Sequence, residues 1–222
     1  MRHMGNTLCK GGESDFNRDA GANEVDLTRR FRSDSYLSPH SDIVALMVLE
    51  HQTQMHNAIT VANYETRQAV YQSHQMNDIL TRPKDYLSDS AKRRITASAD
   101  RVLKYLLMCD EFRMTDTVSG STQFAEEFAA RGQKDSKGRS LRDFDLKTRL
   151  FKYPCSYLIG SGAFSGLPNE VLTEVIPRLL AILEGRDKSK EYAHLSPEVR
   201  RDIIEILRET EPQLFYSSQE RS

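Results

Sequence analysis

His51 has a methionine one helical turn to either side, Met47 and Met55. An imidazole between two thioethers, beside small alanines, can line a haem or another flat cofactor, with the histidine as axial ligand. The same trio also suits a helix core, where the histidine hydrogen-bonds a neighbouring helix and the methionines fill gaps. The core reading is favoured, because no second ligand accompanies His51. His56 points about 140° away from it around a helix, and His74 lies about 27 Å beyond His56 along the axis. HExxH is absent. The cofactor-binding candidates are therefore His51, Met47 and Met55, haem is the cofactor they would hold, and no metal site is expected.

Other reactive residues lack the partners their chemistry needs. Glu191-Tyr192-Ala193-His194 has the spacing of half a di-iron carboxylate motif, but such a site needs a second copy on another helix. Cys155 follows Pro154 in an apolar run, and a nucleophilic thiol needs a lowered pKa and a base, for which His51 or His194 would have to approach. Ser119 and Ser121 lack the nucleophile-elbow pattern, and Gly160-x-Gly162 has no strand before it to make a phosphate loop. Lys134, Lys137, Arg139, Arg142, Lys147, Arg149 and Lys152 form a basic cluster suited to an anionic partner. Asp135, Asp143 and Asp145 dilute it, so it reads first as a solvated face with internal ion pairs. No catalytic residue is assigned, and whether the chain is an enzyme stays open.

Composition narrows the classes further. Among 222 residues, 31 Lys and Arg balance 32 Asp and Glu for a net charge of −1. No cationic excess is available to displace counterions, so a nucleic-acid partner is not expected. The apolar share of 38% falls below the roughly 45–50% of globular chains, so part of the chain should stay unpacked. Three cysteines, Cys9, Cys109 and Cys155, build no disulfide framework. The absence of CxxC and CxxCH excludes a zinc ribbon and a covalent c-type haem within this sequence. The opening MRHMGNTLCKGGESDF has no apolar core and is not a secretory signal. The longest apolar run, Ile43 to Leu49, is too short to cross a membrane. Such a chain is cytoplasmic by default, and periplasmic if it is a piece of an exported protein.

The elements that must position these residues are helical. Residues 1–34 are polar, rich in glycine and without period, and read as a disordered tail or linker; residues 35–215 read as one helical domain. No glycine or proline interrupts His40 to Arg82, so a single helix over about 42–80 is expected, capped by Ser41-Asp42. At 1.5 Å per residue it would measure about 58 Å, longer than the roughly 45 Å diameter of a compact domain of this size. It must bend, break or project, and Thr60 to Asn63 is its weakest stretch. A heptad seam runs Val44, Val48, His51, Met55, Ala58, Ala62, Glu65, Ala69, Gln72 and Met76. That frame places Thr66 on the exposed side. Glu65 needs a cation from the facing helix, with Arg93, Arg94 and Arg101 as candidates.

Further helices are expected over 89–110, 121–132, 141–153, 167–184 with a kink at Pro177, and 197–210 after Ser196. No alternating strand is evident. The fold class is all-α, an irregular helical bundle built on one long N-terminal helix.

Three stretches carry a resemblance: Ser41 to Asn57 (SDIVALMVLEHQTQMHN), Phe124 to Leu158 (FAEEFAARGQKDSKGRSLRDFDLKTRLFKYPCSYL) and Ala193 to Glu209 (AHLSPEVRRDIIEILRE). Together they resemble the C-terminal region of larger uncharacterised bacterial proteins, exported and in some cases associated with c-type cytochrome domains. The resemblance implies a redox-associated context and supplies no activity. The expected function is a helical protein-interaction or docking module whose partner is a protein domain or subunit. The alternative is a haem-binding or enzymatic domain with a buried site around His51.

Overall fold

The computed structural model describes residues 8–10, 13–15, 26–29, 32, 34–35 and 42–216. The disorder expected of residues 1–34 falls mostly outside them. Two three-residue strands in that stretch, β1 (Leu8–Lys10) and β2 (Glu13–Asp15), pair antiparallel with Cys9 opposite Ser14. Strands this short show no alternation, which is why none was expected.

The architecture is all-α. α1 (Ile43–Leu80) is one unbroken helix of 38 residues, about 57 Å long at 1.5 Å per residue. Its N-cap, Asp42, accepts from the amides of Val44 at 2.8 Å and Ala45 at 3.1 Å. The same carboxylate accepts from the Thr122 amide at 3.0 Å and the Thr122 hydroxyl at 2.6 Å, so the cap also anchors the loop that leads to Phe124. At the far end Thr81 turns left-handed, and the buried Asn77 amide donates to the carbonyls of Lys84 and Tyr86. These bonds shape the return into α2 (Asp89–Leu106), which Ser88 caps.

α2 runs back antiparallel along α1. Thr60 to Asn63 does not break the long helix, because Ala62 is fully buried in the core that α2 completes and tertiary packing outweighs propensity. The seam is not a heptad. Val44, Met55, Thr66 and Asn77 are all buried, eleven residues apart. Eleven residues in three turns is about 3.67 per turn, close to a straight helix, whereas a heptad seam drifts by about 20° per repeat. The two frames agree at Val44, Val48, Met55, Ala58, Ala62 and Ala69 and differ at other positions. Thr66, expected to be exposed, is buried, and Met76, expected in the seam, is exposed. Glu65 and Gln72 flank the seam and bind Arg94, one of the three expected cations. Its guanidinium donates to Glu65 and Gln68 at 2.7 Å and to Gln72 at 2.8 Å.

α2 stops at Leu106, four residues before the expected end, and Met108 and Asp110 turn left-handed. α3 (Phe124–Ala130) is shorter than expected. The expected helix over 141–153 is absent. Asp143 accepts from the Ser140 amide, while Asp145 accepts from the amides of Lys147 and Thr148 and from the Thr148 hydroxyl. Such local bonds compete with helix. The segment folds back instead, with Phe144 bridged to Phe151 and their rings stacked 5.3 Å apart.

A one-turn 3₁₀ helix (Tyr157–Gly160) and α4 (Gly162–Ser165) lead into α5 (Asn169–Leu183). α5 runs through Pro177 uninterrupted, with that residue on its exposed side, where water can satisfy the freed carbonyl. α6 (Pro197–Thr210) follows the Ser196 cap. The main core joins Met55 and Ile59 of α1 to α2, α5 and α6, and a smaller core around Val44, Val48, Phe128 and Phe151 sits under the N-terminal end of α1. No helix among the described residues is long and apolar enough to cross a membrane.

Candidate functional site

The three cofactor candidates go to different places. His51 is half-buried, with Nε2 2.8 Å from Ser156 Oγ. Ser156 is fully buried, caps the 3₁₀ helix and accepts from the Leu158 amide. The Phe151 ring meets the imidazole edge-on with centroids 5.4 Å apart, and the Tyr157 ring lies 6.0 Å away. Burial pulls the imidazole pKa down to about 4, so the ring is neutral at neutral pH. Met55 is fully buried in the main core, whereas Met47 is half-buried against the smaller one. Nε2, an atom that a histidine would offer to a haem iron, is engaged by Ser156.

The remaining reactive residues serve the fold. His194 Nε2 lies 2.8 Å from the Leu107 carbonyl and Nδ1 lies 3.3 Å from the Glu191 carbonyl, so the ring tethers the chain leaving α2. Glu191 pairs with Lys104. Cys155 is fully buried, and burial, followed by the Glu211 carboxylate, pushes its thiol up to about 12. The basic cluster is partly neutralised. Arg139 pairs with Asp135, Asp202 and Glu205, Lys137 with Glu205, and Arg149 with Glu111. Arg142 takes no carboxylate among the described residues and lies against the rings of Phe128 and Tyr157. Among the described residues no three His, Cys, Asp or Glu side chains gather as metal ligands.

The outer face of α1 is different in kind. Leu46, Leu49, Tyr64 and Tyr71 remain 50–63% exposed and lie on the side of the helix away from Val44, Met55 and Ala62, by the 100° step per residue. Beside the two tyrosines the surface is concave. Two adjoining clefts of about 550 and 680 Å³ share Arg67 and Tyr71. α1 forms one wall from Ile59 to His74, and residues 162–170 form the other. Asn63 ties the walls by donating to the Gly166 carbonyl at 3.2 Å, and it accepts from Arg67 Nε at 2.7 Å. No Cβ partner stands within 4 Å of Gly162, so its side of the groove is open. The seam pattern drew attention to the buried face alone. Tyr64 and Tyr71, seven residues apart, were the available signal for the outer one.

Compared with protein-family models, curated proteins and solved structures, the chain gives no match.

Proposed function

We propose that this helical domain is a protein-docking module whose groove receives one amphipathic helix from a partner domain or subunit. The observation that carries the reading is the second apolar stripe of α1. A surface helix is ordinarily polar opposite its buried stripe, yet Leu46, Leu49, Tyr64 and Tyr71 are exposed there. Tyrosine offers a large contact area and a polar tip, which makes it a frequent anchor at interfaces. The groove follows α1 from Ile59 to His74, about 22 Å, enough for four turns of a docked helix. The resemblance to cytochrome-associated exported proteins supports a redox-associated partner.

The test is photo-crosslinking in cells that make the protein natively, with benzoyl-phenylalanine placed at Tyr71 or, as an exposed control, at Phe112. The expected result is one discrete heterologous adduct from position 71, none from 112, and loss of the adduct on Tyr64→Glu. Equal adducts at both positions, an adduct insensitive to Tyr64→Glu, or an adduct only with a second copy of this chain overturns the reading. A haem absorbance band in the adduct tests the redox-associated partner.

A further inference from the structure

A separate cleft, of about 210 Å³, lies between the 131–142 segment and the end of α6, with Arg131, Gln133, Arg142, Tyr157, Gly160 and Glu211 among its lining residues. Several close charges of this protein pair, as Arg139 does with three carboxylates and Arg178 with Asp100. Here, among the described residues, Arg131 and Arg142 have no carboxylate partner and Glu211 has no cation partner. They share one cleft without meeting one another.

Arg142 and Glu211 are each held in place. The Arg142 guanidinium lies 4.9 Å from the centroid of Phe128 and 4.8 Å from that of Tyr157, and the contact with two rings restricts its orientation. The Glu211 carboxylate occupies the space left by a missing side chain. A Cβ on Gly160 would collide with Glu211 Oε1 and stand 2.9 Å from Cδ. Burial raises the Glu211 pKa, with Gln213 as its opposing hydrogen-bond donor, as befits a carboxylate without a neighbouring cation.

We propose that this cleft binds a small amino-acid-like zwitterion, its carboxylate on Arg131 and Arg142 and its ammonium on Glu211. A bidentate contact suits the guanidinium end, and an ammonium supplies the counter-charge that Glu211 lacks. The cleft has the volume of about seven waters at about 30 Å³ each, so the ligand is a small molecule. A simple anion would satisfy the arginines but face Glu211 unscreened. This site is separate from the groove on α1, and its test does not depend on docking.

The experiment is calorimetric titration of the full chain with the ω-amino acids from glycine to 5-aminopentanoate, alongside butyrate and butylamine. One ω-amino acid is expected to bind saturably, and butyrate and butylamine, each lacking one end, at least about tenfold more weakly. Arg142→Gln should weaken that zwitterion by about tenfold or more. Glu211→Gln should abolish its advantage over butyrate. Butyrate binding as tightly as the best zwitterion overturns the proposal in favour of a plain anion site. The absence of saturable heat across the series overturns it outright, and both of these outcomes are read on the unmodified protein.

Discussion

The His51 imidazole and the Ser156 hydroxyl, 105 positions apart in the chain, meet at 2.8 Å. Their bond joins the first helix to the turn that carries Cys155 and Tyr157. Because burial lowers the histidine pKa to about 4, against an ordinary value of about 6.5, the unfolded chain binds a proton here that the folded chain does not. Stability contributed by the neutral ring is complete above about pH 6.5. It falls as the pH drops from there towards 4, and below that both states are protonated. Over this window the loss is about 3 kcal/mol. Urea unfolding at pH 7.5, 6 and 5 should show a steeper decline for the native sequence than for His51→Gln, and parallel declines would refute the assignment. At neutral pH, His51→Ala should cost about 1–3 kcal/mol from a cavity and an unsatisfied Ser156.

The spacing along α1 makes a second prediction. Ala62 is fully buried between α1 and α2, so Ala62→Leu should cost about 1–3 kcal/mol by overpacking. Gln75 is exposed on the same helix, and Gln75→Leu should be nearly neutral. Thr66 is fully buried and its hydroxyl has no hydrogen-bond partner among the described residues. Thr66→Val removes that polar atom at nearly constant volume and should stabilise the protein by up to about 1 kcal/mol. A heptad frame predicts the opposite pattern at this position, with Thr66 indifferent as a surface residue. Chemical unfolding of the three variants decides between the frames.

Helix ends were legible in the sequence because their signals are local. Asp42, Ser88 and Ser196 each cap within three residues, and the stretch free of glycine and proline gave α1 its full length. The 141–153 fold-back was not legible from apolar spacing, because Phe144, Leu150 and Phe151 suit a helix face equally well. The aspartate side chains that bind local amides settled that competition. The two candidate sites were less legible still. The groove pairs α1 with residues about a hundred positions later. The zwitterion cleft sets Arg131 and Arg142 against Glu211, whose relation exists only once α6 has packed. Arg142 was visible as one of seven basic residues, but nothing in its neighbours marked it as the one lying against two rings.

Arg94 offers a measure of how firmly α2 holds the flank of α1. It reaches Glu65, Gln68 and Gln72 together, and its side chain remains 29% exposed, with Glu65 at 38%. Partial exposure screens the pair, so a double-mutant cycle between Arg94→Ala and Glu65→Ala should give a coupling of about 0.2–1 kcal/mol, falling with added salt. A salt-independent coupling of several kcal/mol would place the pair in a far drier environment than its exposure indicates.

Cys155 should be chemically silent while the protein is folded. Its side chain is fully buried, and burial raises its pKa to about 12, with the nearby Glu211 carboxylate adding to the rise. The thiolate is the reactive form, so at pH 8 almost no reactive species is present and access is blocked as well. Cys109 is half-buried and also pushed up to about 12, by burial and then by Glu191 and Asp110. With iodoacetamide at pH 8, peptide mass mapping should find Cys155 unmodified in the native protein and alkylated after unfolding in urea. Its labelling rate under native conditions should then follow the opening of the core, the logarithm of the rate rising in Ala62→Leu in proportion to lost stability where opening is fast. Rapid labelling of Cys155 in the folded protein, independent of such destabilisation, would mean an accessible low-pKa thiol. That result would reopen a nucleophilic role which the buried position and the raised pKa otherwise argue against.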